Sequence, residues 1–132
     1  MKGYLIDTDI CVAFFRKVRQ VAEPIEGLEF GDLHISEITL AELTYGAYRS
    51  ARPEYHLGLI ADFSSGVNVI PISPSLDLFA AEKARMQLEG RPVDNFDLLI
   101  GTTAVFHELT LVTGNIRHFE RLQGIKLEDW TA

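Results

Sequence analysis

The sequence has little cysteine, no long apolar run and no excess of positive charge. A single cysteine, Cys11, excludes an internal disulfide, so the fold needs no oxidising compartment. The uncharged apolar stretch at residues 98–106 is far shorter than the ~20 residues that span a bilayer. Asp7 interrupts the apolar N-terminal segment, which predicts that there is no signal peptide. We therefore expect a soluble, cytosolic protein without a membrane partner.

Acidic side chains outnumber basic ones by 19 to 12, which gives a net charge of −7. Proteins that bind duplex nucleic acid by neutralising its phosphates are usually basic. The charge balance therefore argues against a general nucleic-acid scaffold. It leaves open an enzyme whose acids are concentrated in one cation-binding pocket, because a bound metal ion reverses the sign of the local charge.

Short apolar segments alternate with segments of helical periodicity along the 132 residues. Strands are predicted at 3–7, 33–35, 67–72, 109–112 and 126–130. Helices are predicted at 8–15, 18–26, 39–50, 53–63, 74–89, 96–107 and 115–122. Strands that alternate with helices form a mostly parallel sheet with helices on both faces. The sequence therefore predicts an α/β fold, and its length predicts one domain over residues 1–132.

Three acids fall at informative places in this pattern. Asp7 ends the first strand, Glu42 lies in the helix after the second strand, and Asp97 lies one turn into the helix that begins near Asp94. In open parallel sheets, ligands bind at the carboxyl ends of the strands. Asp7 and Glu42 are therefore expected at one edge of the sheet, whereas the spacing alone does not force Asp97 there.

Each of these acids also has a structural interpretation, which is the more common one for any single residue. Acids in the first turn of a helix favour the dipole and satisfy free amides. Thr39 and Glu42 fit a capping box that would start the helix. Asp94 is interpreted as an N-cap and Asp9 as an acid at the start of a helix.

The apolar surroundings of two acids favour a role in binding a cation over a role in helix capping. Glu42 shares a helical stripe with Ile38 and Tyr45, and Asp97 is followed by the apolar triplet at 98–100. A partly buried carboxylate is costly unless a cation or hydrogen-bond donors meet it. Carboxylates drawn together also repel one another. An oxygen-rich pocket of this kind suits Mg²⁺ or Mn²⁺.

Two polar residues follow the predicted strand at 109–112. Thr113 and Asn115 could orient a water molecule or a metal ligand at the same edge. A turn through Gly114 with an N-cap for the next helix explains them equally well. A zinc site is not indicated, since Cys11 stands alone and no His/Cys cluster has zinc spacing.

Four motifs in order resemble those of a known family. The sequence reads IDTD at 6–9, AEL at 41–43, FDLLI at 96–100 and LVTGN at 111–115, followed by His118 and Phe119. Together with the tail at 117–130, they resemble the PIN-domain ribonucleases, specifically the VapC-type toxins of bacterial toxin–antitoxin modules. The resemblance covers essentially the whole chain.

The resemblance implies an acidic pocket at one edge of an α/β sheet, an Mg²⁺ or Mn²⁺ ion, and endonucleolytic cleavage of RNA by a metal-activated water. Asp7, Glu42 and Asp97 match the acidic metal-site residues of the family. Thr113 and Asn115 match the polar positions that complete the pocket. His118 stands where the family often has a fourth acid, so we expect one firm metal site and a second that forms only with RNA phosphates.

The resemblance also implies partners: RNA, a cognate antitoxin protein and a second copy of the chain in a homodimer. An acidic pocket invites a basic side chain from the antitoxin. Five aromatic residues could line an antitoxin groove: Phe14, Phe15, Tyr45, Tyr48 and Tyr55. For most of them, packing in the core is the more common role. Basic residues that could guide the RNA backbone are Arg16, Lys17, Arg19, Arg49 and Arg52.

Two alternatives remain open from the sequence. Haloacid-dehalogenase-like phosphatases also begin with a strand and D-x-D, which Asp7 and Asp9 match, but the order of the later residues disagrees with that class. A catalytically degenerate PIN domain that serves only as a binding module is supported by His118. The complete set of Asp7, Glu42 and Asp97 argues against it.

Overall fold

A five-stranded parallel sheet forms the centre of the molecule in the computed structural model, which describes residues 3–132. The strands are β1 (Tyr4–Ile6), β2 (Leu33–Ser36), β3 (Asn68–Ile70), β4 (Thr110–Val112) and β5 (Lys126–Glu128). Their order across the sheet is β3-β2-β1-β4-β5. The predicted parallel α/β architecture is confirmed. The first two residues of the predicted range 1–132 lie outside the described residues.

Helices cover both faces of the sheet, as predicted. They are α1 (Thr8–Phe15), α2 (Arg19–Glu26), α3 (Glu37–Arg49), α4 (Pro53–Ser65), α5 (Leu76–Leu88), α6 (Asn95–Phe106) and α7 (Ile116–Phe119). Successive residues of a strand point to opposite faces, so Ile6 joins a core with α1–α4 while Leu5 joins a core with α5–α7. Within residues 3–132, no helix has the length and apolar character needed to cross a bilayer.

The start of α3 differs from the sequence prediction. Ser36, not Thr39, is the N-cap, and its hydroxyl accepts a hydrogen bond from the backbone N–H of Ile38 at 3.0 Å. The predicted capping box of Thr39 and Glu42 is therefore wrong, because β2 runs directly into α3 and leaves Thr39 buried inside the helix. Glu42 lies beyond the first turn, so the free amides of the helix start do not explain its presence.

Two other helix starts carry acids. Asp7 caps α1 and accepts from the backbone N–H of Thr8 at 2.8 Å. Asp94 caps α6, as predicted, and accepts from the backbone N–H groups of Phe96 at 3.0 Å and Asp97 at 3.3 Å. Since Asp94 already serves the amides of this turn, Asp97 is left for another role. The fifth helix starts at Leu76, after the position predicted, because a 3₁₀ turn at Ser73–Ser75 precedes it.

Candidate active site

Asp7 lies at the carboxyl end of the central strand β1. Its backbone N–H donates to the carbonyl of Val112 at 2.9 Å, which extends the pairing of β1 with β4 to the first residue of the site. The side chain is only 4% exposed. One carboxylate oxygen accepts from the Thr8 N–H and the other from the Thr113 hydroxyl, both at 2.8 Å. The fold thus fixes Asp7 from two separate parts of the chain.

The surroundings of Asp7 oppose its negative charge. Burial raises the pKa of this carboxyl from 3.8 to about 7, with the charge of Asp9 next in size and that of Asp97 adding to it. The hydrogen bonds from Thr113 and Thr8 lower the pKa but do not compensate. At neutral pH a buried acid of this kind is charged only in part unless a cation stands beside it.

Thr113 and Asn115 both lie at this edge, in the loop after β4. The Thr113 hydroxyl, fully buried, donates to Asp7 and accepts from the backbone N–H of Asn115 at 3.0 Å. The Asn115 side chain reaches toward Asp9, with its amide nitrogen 3.5 Å from a carboxylate oxygen. The structure therefore brings Thr113 to Asp7, at a sequence separation of 106 positions, and Asn115 to Thr113 and Asp9.

Asp9 lies in the first turn of α1, as predicted, and also belongs to the same pocket, in the supporting role that the sequence left open. Its Oδ2 accepts from the backbone N–H of Gly114 at 2.9 Å and so closes the loop after β4 onto α1. Its Oδ1 is buried and has no hydrogen-bond partner. The contact requires glycine at position 114, because a Cβ there would lie 2.8 Å from Asp9 Oδ2.

Glu42 is linked to the pocket through Thr8. The Thr8 hydroxyl donates to Glu42 Oε1 at 2.6 Å and lies 3.1 Å from the hydroxyl of Thr39. Thr8 immediately follows Asp7, so α3 presents Glu42 beside the start of α1. The prediction that Asp7 and Glu42 share one edge of the sheet agrees with this arrangement.

Asp97 faces the same acidic surroundings from α6. Burial raises its pKa, and the negative charges of Asp94 and Asp9 add to the effect. His118 opposes them: its Nδ1 lies 2.9 Å from Asp97 Oδ2, and both its charge and this hydrogen bond lower the pKa of Asp97. The negative charge of Asp97 also contributes to the raised pKa of Asp7, so Asp97 lies within electrostatic range of the pocket.

The acids do not form a preassembled ligand set. Among residues 3–132, no three His, Cys, Asp or Glu side chains are arranged to hold a metal ion as they stand. Each of the three acids instead has a hydrogen-bond partner: Asp7 is bonded to Thr113, Glu42 to Thr8 and Asp97 to His118. The structure gathers the charges at one edge, and a cation entering there would have to replace some of these hydrogen bonds.

An apolar groove of about 410 Å³ opens beside Glu42 and Thr8. Its apolar lining comes from α1, α3 and α4 and consists of Val12, Phe15, Leu43, Ala47, Leu59 and Ile60. Of the five aromatic candidates for a groove, Phe15 and Tyr55 line this one. Phe14 packs against Phe63 in another cavity, with ring centroids 5.4 Å apart, and the remaining two are exposed tyrosines on α3.

Comparison with known proteins decides the family. The family model described as "PIN domain" matches residues 4–125. The chain is 34% identical over 132 residues to the "tRNA(fMet)-specific endonuclease VapC" of Shigella flexneri, a match that covers 99% of this chain and 100% of that protein. The chain belongs to the VapC family of PIN-domain ribonucleases. This membership overturns the phosphatase alternative drawn from the D-x-D start.

Solved VapC structures share the fold over nearly the whole chain. A chain of the DNA-bound VapBC complex from Salmonella typhimurium superposes with a TM-score of 0.84 at 34% identity, covering 98% of this chain and 99% of that one. A chain of VapBC2 from Rickettsia felis, bound to a promoter DNA fragment, gives a TM-score of 0.85 at 32% identity, covering 96% and 98%. Both are toxin–antitoxin complexes.

The contact between Asp9 and Gly114 makes one prediction for this VapC chain. Replacing Gly114 by Ala would push the Asp9 carboxylate away and release the loop that holds Thr113. We expect RNA cleavage to fall about tenfold, an effect of misplacing groups around the reacting atoms. The matched control is Gly58→Ala on α4, where an added Cβ meets nothing within 4 Å. Equal activity of the two variants would contradict the role given to Asp9.

The contact between His118 and Asp97 makes a second prediction for the same pocket. His118→Ala removes a partner that lowers the pKa of Asp97, so this carboxyl should stay protonated to higher pH. The acidic limb of the pH–rate profile for RNA cleavage should therefore move to higher pH. Arg117→Ala is the control, since Arg117 is an exposed neighbour on α7. An unchanged acidic limb in His118→Ala would show that Asp97 does not titrate in the reaction.

Proposed function

We propose that this chain is an Mg²⁺- or Mn²⁺-dependent endoribonuclease that acts as the toxin of a toxin–antitoxin pair in the bacterial cytoplasm. The observation that carries the proposal is the buried Asp7, whose pKa is raised to about 7 by burial and by the charges of Asp9 and Asp97. A site that buries Asp7 beside other carboxylates, at such a cost to the ionisation of Asp7, is suited to a divalent cation.

The residues present fit such a cation. All the pocket acids offer carboxylate oxygens, which are the ligands that Mg²⁺ and Mn²⁺ prefer. Asp9 Oδ1 is buried without a partner, so one negative oxygen of the pocket lacks a donor or positive charge. Asp7 and Asp97 would hold the ion, with Glu42 acting directly or through water. The bound ion would supply positive charge to the phosphate oxygens and lower the pKa of water.

The remaining chemistry falls to side chains of the chain itself. Thr113 holds Asp7 in place, and Thr8 holds Glu42 beside it. In hydrolysis the water oxygen bonds to phosphorus and the bond from phosphorus to a sugar oxygen breaks. One proton leaves the water and one reaches the leaving oxygen. We assign acceptance of the first proton to the Glu42 carboxylate, and binding of a substrate phosphate to the exposed Asn115 amide.

The partner proposal rests on the groove beside Glu42. Its apolar lining suits an antitoxin segment, and its acidic end suits a basic side chain from that segment, which would take the place of the cation. The similar VapBC structures contain toxin and antitoxin together. We propose that the antitoxin of this chain lies in the groove and that the toxin is a homodimer.

Two experiments test the activity: cleavage of RNA by the purified chain, and sequencing of RNA from cells that express it. Transfer RNA is the first substrate to try, because the Shigella relative is named for tRNA(fMet). Cleavage by the purified chain should require Mg²⁺ or Mn²⁺ and stop with a chelator. When total RNA is sequenced after brief expression in cells, it should show defined ends. Toxicity of the chain alone, relieved by a small co-expressed neighbouring protein, tests the toxin role. Intact RNA in all metal conditions would contradict the proposal.

A binding module without catalysis is the second candidate. It is favoured by His118 at the usual position of an acid and by the lack of three preassembled metal-ligating side chains within residues 3–132. Calorimetry with Mn²⁺ separates the two candidates. Heat of binding together with RNA cleavage supports the nuclease, whereas the absence of both supports the module.

A further inference from the structure

We propose that three tyrosines and two arginines beside the pocket form a surface on which unpaired bases of the RNA substrate stack. This tyrosine–arginine face consists of Tyr45, Tyr48, Arg49, Arg52 and Tyr55. The inference rests on the proposed ribonuclease function and deepens it, because it names the side chains outside the catalytic pocket that would hold the bases of the RNA. Its test separates the two claims.

The three tyrosines of this face are exposed and lie close together in the sequence. Tyr45 is 62% exposed, Tyr48 68% and Tyr55 50%, all within a stretch of eleven residues. Single exposed apolar residues are normal, but a cluster of aromatic rings at a protein surface marks a binding site. Packing inside this chain does not account for these rings.

Arginines accompany two of the rings. The Arg49 guanidinium carbon lies 5.8 Å from the centre of the Tyr45 ring, and its Nη1 donates to the Tyr45 hydroxyl at 3.3 Å. The Arg52 guanidinium carbon lies 4.3 Å from the centre of the Tyr55 ring. Cation–π contacts of this kind orient the rings and place positive charge at their sides. Aromatic rings that stack bases, next to arginines that bind phosphates, are typical of proteins that bind single strands.

The face is continuous with the proposed catalytic pocket. Glu42, Tyr45 and Arg49 are spaced i, i+3 and i+7 on α3, so they share one side of the helix, with about 5–6 Å between neighbouring Cβ atoms. The groove beside Glu42 also reaches Tyr55 and Arg16. A base stacked on Tyr45 would therefore leave the adjoining phosphate close to Glu42.

Charge favours RNA over a protein as the occupant of this face. The whole chain has a net charge of −7, yet residues 45–55 contain two arginines against one acid, Glu54. A polyanion approaching an acidic pocket needs positive charge beside it. An antitoxin segment in the apolar groove would bring its basic side chain to the pocket past Thr8 and Glu42, and of the residues of the face only Tyr55 lines that groove.

The test measures RNA affinity in a chain that cannot cleave. In the Asp7→Asn background, binding of a labelled, unstructured 12-nucleotide RNA is compared with binding of a duplex of the same length. We expect Tyr45→Ala and Tyr48→Ala each to weaken single-strand binding about five- to tenfold. Tyr45→Phe, which keeps the ring, should bind within about twofold of the parent. Arg49→Ala should weaken binding and reduce its salt dependence.

Matched controls lie elsewhere on the surface. Phe30→Ala removes an exposed ring that is 56% accessible, and Lys126→Ala removes an exposed positive charge from β5. Both should leave single-strand affinity unchanged. Because all the substituted side chains are exposed, thermal unfolding should change little in any of the variants, which separates binding from folding.

Three results would overturn the inference. Tyrosine variants that bind the single strand as well as Phe30→Ala show that the face does not take up bases. Equal or tighter binding of the duplex shows that stacking is not the mode of recognition. Loss of antitoxin binding with RNA affinity intact shows a protein-docking surface. In each case cleavage of RNA by the parent chain would still support the proposed function, whereas a parent that neither binds nor cleaves RNA removes both claims.

Discussion

Asp7→Asn should lower metal-dependent RNA cleavage by about a thousandfold or more while leaving the fold intact. The amide retains the shape of the side chain, and its oxygen can still accept one of the hydrogen bonds from Thr8 and Thr113. It cannot supply the negative charge that draws a divalent cation. Initial rates of cleavage in Mg²⁺ and in Mn²⁺ measure the loss, and circular dichroism measures the fold. Asp97→Asn should behave in the same way.

The same substitution at a neighbouring acid provides the control. Asp94→Asn keeps a good N-cap for α6, because asparagine caps helices about as well as aspartate. Its activity should stay within a few-fold of the parent. If Asp7→Asn cleaves RNA as fast as Asp94→Asn does, the assignment of Asp7 to the cation site is wrong.

The contribution of Asp7 to the stability of the metal-free chain should fall as the pH rises from about 4 to about 7. The folded-state pKa of Asp7 is raised from 3.8 to about 7, so the folded state holds a proton that the unfolded state releases. Its contribution is fully present below the unfolded pKa and is lost as the pH rises through 7. A difference of this size corresponds to about 4 kcal/mol at most for a buried group. Urea unfolding at several pH values measures it.

Comparison with a variant isolates the effect of Asp7. Other acids respond in the opposite direction: Arg85 lowers the pKa of Glu82, which favours the folded state at higher pH. The difference in free energy of unfolding between the parent and Asp7→Asn should therefore be followed against pH. It should favour the variant increasingly above pH 4 and level off above pH 7. A difference that does not vary with pH would show that Asp7 is ionised normally in the fold.

Mn²⁺ should reverse this destabilisation at pH 8. A ligand that binds only the folded state raises the free energy of unfolding by RT ln(1 + [L]/Kd), which is about 2.7 kcal/mol at a hundredfold excess over Kd. The parent should gain thermal stability with Mn²⁺, whereas Asp7→Asn should gain little. Equal gains in both proteins would place the stabilising ion elsewhere.

The periodicity of apolar residues predicts the architecture, because each strand and helix is determined mainly by its own stretch of sequence. Alternating and helical periodicities of apolar residues mark which segments bury which side, and alternation of strands and helices leads to a parallel sheet with two covered faces. The position of Asp7 at the carboxyl end of a central strand followed from the same reasoning. The cap of α3 did not, because whether Ser36 or Thr39 ends the extended segment depends on how far β2 pairs with β3, which reaches Ser36.

The contacts between side chains within the site could not be predicted from the sequence, because they join residues that are far apart along the chain. Asp9 meets Gly114 across 105 positions, and His118 meets Asp97 across 21. Such contacts depend on the packing of α1 and α7 around the loop after β4, and neither periodicity nor capping rules describe them. Motif order indicated which residues belong together, whereas the fold supplies the reason: one edge of the sheet at which buried negative charges accumulate.

Anomalous diffraction from crystals of the full chain soaked in Mn²⁺ tests the cation site at Asp7 and Asp97 directly. We expect a manganese peak in contact with carboxylate oxygens of Asp7 and Asp97, and no such peak in crystals of Asp7→Asn. A chain that cleaves RNA with Mn²⁺ but whose crystals show the ion away from these two residues would contradict this placement of the cation.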